Sequence, residues 1–256
     1  MRRLYATVPR LAATAVAASA GAIATRAPDA RTADAGRPLR RQPLAPDDAT
    51  ASLLERIFHG LGDGDEIPIG DSHLIDDSGG HEAYGEITIR GMRELEPRLG
   101  PREGDVFYDL GSGTGKAVIQ AALEWPVERA VGVELSPSRN GIGEVAMSRA
   151  EPLLQQRVQL RQGDIIACEG CEDASLVYVA SLLFDEPFMQ RLGARLSSLP
   201  KLRTLATLKR FPEGALTGFS EAAENAAPDD DEEVRRERVE VTWGAARVYV
   251  YEREVR

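Results

Sequence analysis

Between residues 106 and 208, short continuous apolar runs alternate with longer stretches whose apolar residues recur at helical spacing. The short runs predict buried strands, and the longer stretches predict amphipathic helices that cover them. The predicted order is strand 106–110, helix 114–124, strand 130–134, helix 138–150, strand 158–162, strand 175–180, helix 186–197 and strand 202–208. Alternation of this kind predicts an α/β fold with a largely parallel sheet and helices on both faces.

The flanking segments add a lead-in and a terminal hairpin. Residues 46–104 predict a helical lead-in: a short amphipathic helix capped by Asp47 or Asp48, a Gly- and Asp-rich loop over 62–80, and a helix over 87–99. Residues 105–256 form the predicted core, with a solvated acidic loop over 221–237. Strands 239–242 and 246–251, joined at Trp243-Gly244-Ala245, predict a C-terminal antiparallel hairpin.

The formal net charge of −10 is unevenly distributed along the chain. Residues 1–45 contain eight arginines and two acids, a charge of +6, which leaves −16 for the remainder. Binding to nucleic acid phosphates requires clustered Lys and Arg. The acidic remainder therefore predicts no direct grip on DNA or RNA.

Residues 1–45 have the composition of a targeting segment. They are rich in Ala and Arg, poor in acids, and apolar from Leu11 to Ala24, which is typical of a mitochondrial or plastid presequence. A secretory signal and a disordered basic extension are the alternatives. The apolar run is too short to span a bilayer, so no membrane partner is expected.

The most informative motif is a glycine-rich turn that follows the first predicted strand: Asp109-Leu110-Gly111-Ser112-Gly113-Thr114-Gly115. A strand, a glycine turn and a helix start form a nucleotide cradle, because glycine lets backbone N–H groups approach a ligand closely. Asp109 would repel a pyrophosphate but suits a cationic amino-acid end. The motif therefore favours S-adenosylmethionine as cofactor over a dinucleotide or an empty structural turn.

Two further acids follow the next two strands. Glu134 ends the run Ala130-Val131-Gly132-Val133, where a carboxylate can accept from both ribose hydroxyls. Asp164, in a turn after strand 158–162, is placed to accept from an adenine amino group. A purely turn-capping role for Asp164 remains the alternative.

The cysteines and histidines do not indicate a metal site. Cys168 and Cys171 form one C-x-x-C, and His59, His73 and His81 lie far upstream without ligand spacing. Because a tetrahedral zinc site needs four ligands, we expect no metal. The two thiols are expected to be incidental, with a redox pair as the alternative.

Several separate stretches between about residues 80 and 252 resemble one family, the non-SET histone-lysine methyltransferases named for disruptor of telomeric silencing. The matching motifs are Tyr84-Gly85-Glu86, Asp109 to Gly115, Gly132-Val133-Glu134, Gly163-Asp164 with Ile165 in place of an aromatic residue, Ser175 to Val179, and Val241-Thr242-Trp243-Gly244 followed by Tyr249. The resemblance implies a class I methyltransferase: a Rossmann-like mixed sheet whose last strand runs antiparallel.

The same resemblance implies roles for individual residues. Tyr84 and Glu86 would close over the cofactor and contribute to catalysis, and Gly111, Gly113, Gly115 and Ile165 would bind the cofactor with the three acids. Phe184, Leu182 and Tyr249 are the candidates for a narrow apolar channel that keeps the incoming lysine neutral.

The chain also departs from the family pattern. The catalytic loop Asn-Asn-Phe-Ala-Phe is replaced by Ala180-Ser181-Leu182-Leu183-Phe184, and the glutamine after the last glycine by Lys116. The basic segments that hold DNA in nucleosome-acting members are missing.

The favoured function is a protein-lysine N-methyltransferase whose substrate is a histone or an organellar basic protein. The alternatives are a small-molecule methyltransferase and a non-catalytic cofactor-binding scaffold. The basic extension predicts a mitochondrion or plastid, with the nucleus as the alternative, and the sequence gives no oligomeric state.

Overall fold

A seven-stranded mixed sheet forms the centre of the computed structural model, which describes residues 48–222 and 238–254. Its strands are β1 Val106–Leu110, β2 Arg129–Glu134, β3 Val158–Gln162, β4 Leu176–Val179, β5 Thr204–Thr207, β6 Phe219–Glu221 and β9 Tyr249–Arg253. They lie in the order β3-β2-β1-β4-β5-β9-β6, in which β9 alone runs antiparallel to its neighbours β5 and β6. The predicted α/β fold class is confirmed, including the antiparallel last strand.

Seven helices of the described residues surround this sheet. They are α1 Ala49–Phe58, α2 Ile69–Ser78, α3 Ile89–Leu99, α4 Lys116–Glu124, α5 Pro137–Ser148, α6 Pro152–Arg157 and α7 Glu186–Ser197. Side chains that accept from the first-turn N–H groups begin α1, α3, α5 and α7, at Asp48, Thr88, Ser136 and Asp185. Such caps satisfy donors that the helix itself leaves unpaired, so these starts are encoded locally.

Successive strand residues point to opposite faces, and each face carries its own apolar core. Phe107 and Tyr178 lie in the core covered by α1, α3, α4 and α5. Tyr108 and Val177 lie in the core covered by α7. All five residues of β1 are buried, as expected of a central strand with helices on both sides.

Three elements were not predicted. The predicted loop over 62–80 is wrong at Ile69–Ser78, which forms α2. Helix α6 and the three-residue strand β6 were also not predicted. Helix α2 has no continuous apolar stripe, and β6 is defined by its pairing with β9, which lies far along the chain. Neither element therefore has an apolar pattern of its own that predicts it.

The predicted C-terminal hairpin is present, but it stands apart from the main sheet. Strands β7 Arg238–Val241 and β8 Gly244–Arg247 pair only with each other within the described sheets. The prediction of a single strand over 246–251 was wrong, because the chain changes partners at buried Val248 and continues as β9. The hairpin packs against α3, where the Thr88 amide donates to the Glu240 carbonyl at 3.1 Å.

Several predictions concern residues outside the described ranges. The presequence over 1–45 and the acidic run at 229–233 both lie there. Among the described residues, no helix is long and apolar enough to cross a membrane, and no cluster of three His, Cys, Asp or Glu side chains is suited to a metal ion. Cys168 and Cys171 form a disulfide, so the expectation of two incidental thiols was wrong.

Candidate cofactor and substrate site

A cavity of about 400 Å³ opens at the edge of the sheet where the parallel strands end. Its volume lies in the range of small-molecule sites, roughly 300–1,000 Å³. One side, here called the rear wall, consists of the carboxyl ends of β1, β2 and β3 and the turns that follow them. The opposite side, here called the front wall, consists of residues 64–86, including α2. Crevices at this edge are where open α/β sheets bind ligands.

The glycine turn of the rear wall has two positions that only glycine fits. Gly113 has φ +55°, and a Cβ there would lie 2.4 Å from the Tyr84 hydroxyl oxygen. Gly115 has φ +84° at the start of α4, where a Cβ would lie 2.8 Å from Leu160 Cδ2. Left-handed backbone and close approach both exclude larger residues. The turn can therefore bring front and rear walls into contact. Gly111 lines the cavity, whereas Gly113 and Gly115 are not among the residues that line it.

Glu134 lies at the end of β2 and lines the cavity, with only 6% of its surface exposed. Its Oε2 accepts from the Gly113 amide at 2.8 Å, and its Oε1 accepts from the Ser136 amide at 2.8 Å. Two backbone donors fix the orientation of the carboxylate. Each of its oxygens has a further lone pair for a ligand hydroxyl.

Asp109 is the least satisfied acid of the site. It is 4% exposed, and no described residue donates a hydrogen bond to its Oδ1. Burial, reinforced by the nearby charges of Glu134 and Glu86, raises the pKa of Asp109 to about 8. The side chain borders a small recess beside the main cavity, lined also by Glu86, Lys116 and Ala180. An orphaned carboxyl oxygen with a raised pKa suits a cationic ligand group, which would supply both the hydrogen bond and the charge.

Asp164 and Ile165 line the cavity beyond Glu134. Asp164 Oδ1 accepts from the Ile166 amide at 2.8 Å, so this residue does cap its turn, the alternative raised from the sequence. Ile165 is buried in the same apolar cluster as Cys168 and Cys171. The pair gives this end of the cavity one acceptor and one apolar surface.

Tyr84 and Glu86 are joined to the glycine turn by a compact network. The Tyr84 hydroxyl donates to Glu86 Oε1 at 2.6 Å and accepts from the Thr114 amide at 3.1 Å. Thr114 Oγ1 also donates to Glu86 Oε1, and Lys116 Nζ donates to Glu86 Oε2 at 2.7 Å. Burial and the Glu86 charge raise the pKa of Tyr84 well above its usual value, so the phenol stays protonated. The network attaches the front wall to the start of α4.

Apolar side chains surround the opening of the cavity, here called the mouth. Phe184 and half-exposed Leu182, Leu183 and Trp243 line it. The Trp243 ring lies against Gly85, where a Cβ would be 1.9 Å from Cζ3. Tyr249 is not brought to this site. It lies at the start of β9 with the guanidinium groups of Arg210 and Arg247 over its ring, at 5.2 and 5.4 Å from the ring centre, and it lines neither the cavity nor the recess.

The sequence did not single out several residues that line the cavity. Ile75 and Ser78 come from α2, His81 from the segment after it, and Arg139 from the first turn of α5. Pro68 before α2 and Gly79 after it are ordinary helix boundary signals, and together they offered the one local indication of this helix. Arg139 gives no such signal, because its partners are backbone carbonyls far away in the sequence.

A family model described as "Histone methylation protein DOT1" matches residues 76–253, which is more than half of the chain. A protein of Cryptococcus neoformans var. neoformans, named "Histone-lysine N-methyltransferase, H3 lysine-79 specific", is 31% identical over 151 residues, 54% of this chain and 23% of that protein. A Caenorhabditis elegans protein of the same name is 27% identical over 127 residues, 45% of this chain and 13% of that protein. The chain thus corresponds to less than a quarter of the length of these two relatives.

One similar solved structure is an RNA methyltransferase from Salinibacter ruber in complex with S-adenosyl-L-homocysteine. It is 24% identical, covers 65% of this chain and 92% of that chain, and has a TM-score of 0.42. It is too distant for its substrate to bear on this protein.

Proposed function

Because the chain belongs to the DOT1 histone methylation protein family, we propose that it is an S-adenosylmethionine-dependent methyltransferase that acts on a lysine side chain of a protein. Family membership supports the reaction class. The residues of the rear wall and the mouth support the individual roles described below.

The observation that carries the proposal is the pair of buried carboxylates at the ends of β1 and β2. Glu134 is held by two backbone amides with lone pairs left for ribose hydroxyls, and Asp109 has an orphaned oxygen suited to the ammonium of the amino-acid end. Asp164 and Ile165 would receive the adenine, through an acceptor and an apolar contact respectively. This donor and acceptor set fits S-adenosylmethionine.

The mouth is suited to the second reactant. When bound, the cofactor supplies a methyl group activated by a positive sulfur. The protein's own task is then to orient the incoming amine and exclude water. Phe184, Leu182 and Trp243 offer an apolar surround that disfavours an ammonium and therefore favours the neutral amine that can attack. Glu86 and Tyr84 would hold the front wall in place beside it.

The substrate is expected to be a basic protein. The relatives named as H3 lysine-79 enzymes favour a histone, and with it the nucleus, whereas the Arg-rich extension favours an organelle. Residues 46–256, with a charge of −16, would attract a lysine-rich protein and repel DNA over a Debye length of about 8–10 Å. We therefore expect weak activity on nucleosomes, and better activity on a basic protein free of DNA.

Replacement of the family's two amides by Ala180 and Ser181 keeps a non-catalytic scaffold as the second candidate. Nevertheless, the loop is well anchored. Ser181 is fully buried, the Phe184 amide donates to the Ser181 carbonyl at 3.1 Å, and Lys209 Nζ donates to the Phe184 carbonyl. An anchored loop next to the cavity favours retained activity over decay.

Labelled S-adenosylmethionine tests the proposal directly. The purified protein is incubated with free histones, nucleosomes and an organelle extract at low and at moderate salt, with Glu134→Ala as the inactive control. We expect label on a lysine of a free basic protein and little on nucleosomes at moderate salt. Cofactor binding without any transfer would favour the scaffold. Strong nucleosome labelling at moderate salt would contradict the charge argument.

A further inference from the structure

The front wall has little apolar anchorage for a segment that encloses a cavity. Within α2, all of which is described, burial is confined to Asp71 and Ile75. Yet Ile75, Ser78, His81 and Tyr84 of the same wall line the cavity. Contacts other than apolar burial must therefore set its position.

Asp71 provides one such contact. It is 8% exposed, and its Oδ2 accepts from Ser136 Oγ at 2.5 Å, from Ser138 Oγ at 2.7 Å and from the Ser138 amide at 2.9 Å. Burial alone would raise the pKa of Asp71, but the hydrogen bonds from Ser136 and Ser138 outweigh it and hold the pKa below its usual value. An ionised carboxylate at the start of α5 is also favoured by the helix dipole.

Arg139 provides the second contact, from the same turn of α5. It is 4% exposed, its Nε donates to the Gly64 carbonyl at 2.9 Å, and its Nη2 donates to the Glu82 carbonyl at 2.7 Å. Its guanidinium also lies 4.4 Å from the centre of the Tyr84 ring. One buried cation thus holds both ends of the front wall, on either side of α2.

We propose that Asp71 and Arg139 are positioning residues of the cofactor site, which hold the front wall against the first turn of α5 and so complete the cavity opposite Glu134. The inference rests on the proposed function for the identity of the ligand. Ser136 couples the two walls directly, because its amide donates to Glu134 Oε1 and its hydroxyl donates to Asp71 Oδ2. A ligand that contacts both walls therefore binds more tightly when the wall is held in place.

The test uses the full chain with Asp71→Asn and Arg139→Lys, and two matched controls. Asp77→Asn changes an exposed acid on the same helix, and Arg149→Lys changes the arginine directly after α5, whose two carbonyl partners, at Ile57 and His59, do not line the cavity. Calorimetry measures the affinity for S-adenosylhomocysteine. Hydrogen exchange measures the protection of residues 64–86 and compares it with the protection of β1 and β2. We expect roughly tenfold weaker binding in the two test variants, as for loss of a charged hydrogen bond, with faster exchange confined to the front wall. The controls should match the wild type.

Four outcomes decide between the possibilities. Unchanged affinity in both test variants overturns the inference, and so does faster exchange that extends equally into β1 and β2. If the wild type does not bind S-adenosylhomocysteine, the proposed function fails, while the exchange measurement still decides whether these residues hold the wall. If a test variant does not fold, Ser138→Ala replaces it, because this change removes one of the donors to Asp71. Ser138→Ala should weaken binding by roughly threefold. Unchanged affinity in Ser138→Ala overturns the inference as well.

Discussion

The rear and front walls of the cavity are built on different principles. The rear wall belongs to a β-α-β unit close in sequence, with paired backbones and apolar cores on both sides of the sheet. The front wall is held by a buried acid, a buried arginine and the Tyr84–Glu86 network. Apolar burial is non-directional and tolerant of small shifts, whereas hydrogen bonds fix both direction and distance. Changes in the rear wall should therefore affect stability and binding together, and changes in the front wall should affect binding alone.

The largest effect is expected from Glu134→Ala in the rear wall. The change removes the proposed acceptor for two ribose hydroxyls, each worth about 1.5–3 kcal/mol as a charge-assisted bond, so cofactor affinity should fall by about a hundredfold or more. It also leaves the Gly113 and Ser136 amides without their partner, so thermal stability should fall too. Calorimetry and a melting curve measure both. Intact affinity would mean that the end of β2 is not the ribose site.

Asp109→Asn in the same wall should also change both stability and binding, but in opposite directions. We expect about tenfold weaker cofactor binding, because the amide cannot neutralise an ammonium as the ionised acid does. The folded-state pKa of Asp109 is raised to about 8, so its ionisation costs stability as pH rises from about 4 to 8. The unliganded variant should therefore be more stable than the wild type, with a gain that grows over that pH range and then levels off.

Melting curves at pH 5, 7 and 9 check the second half of this prediction. In the wild type, cofactor affinity should also increase as pH approaches 8, whereas in Asp109→Asn it should stay level. A stability gain that shrinks with rising pH would reverse the sign and refute the assignment.

Two Gly→Ala substitutions, one beside each wall, compare the walls because each adds the same single methyl group. Gly143→Ala places a Cβ 2.5 Å from the buried Thr114 carbonyl oxygen behind the rear wall, so it should destabilise the fold by about 1–3 kcal/mol. Gly85→Ala places a Cβ against the half-exposed Trp243 ring, which can swing away. The stability of Gly85→Ala should therefore change little. Its KM for the protein substrate should increase by roughly threefold, which corresponds to about 0.7 kcal/mol of binding free energy. Equal losses of melting temperature would remove the distinction between the walls.

The smallest effect is expected from Lys116→Gln, which restores the residue type of the related family. The Lys116–Glu86 pair is partly exposed, and such pairs contribute at most about 1 kcal/mol. Glutamine can still donate to Glu86. Cofactor affinity should therefore stay within about twofold of the wild type at moderate salt. A loss as large as that of Asp109→Asn would show that the cation itself contacts the ligand.

The sequence predicted the rear wall because its signals are local. Asp109, the glycines and Glu134 each follow an apolar run at a spacing that places them at one sheet edge. Within the front wall, only Ile69–Ser78 was mistaken for a loop, because α2 lacks an apolar stripe and its anchors, Asp71 and Arg139, find their partners more than 50 residues away. Tyr249 was placed at the site by resemblance. At Val248 the chain stops pairing with β7 and begins to pair with β5, which places Tyr249 beside Arg210. No periodicity in the sequence marks this change of pairing strand.

The position of Trp243 has a spectroscopic consequence. The chain has two tryptophans, and Trp125 is buried in the core, whereas half of the Trp243 surface is exposed beside Gly85 at the mouth. Emission from Trp125 is shielded from a dissolved quencher such as iodide, and emission from Trp243 is not. The fraction of the fluorescence that iodide quenches should therefore fall when a ligand occupies the mouth and covers Trp243. This measurement needs no attached dye.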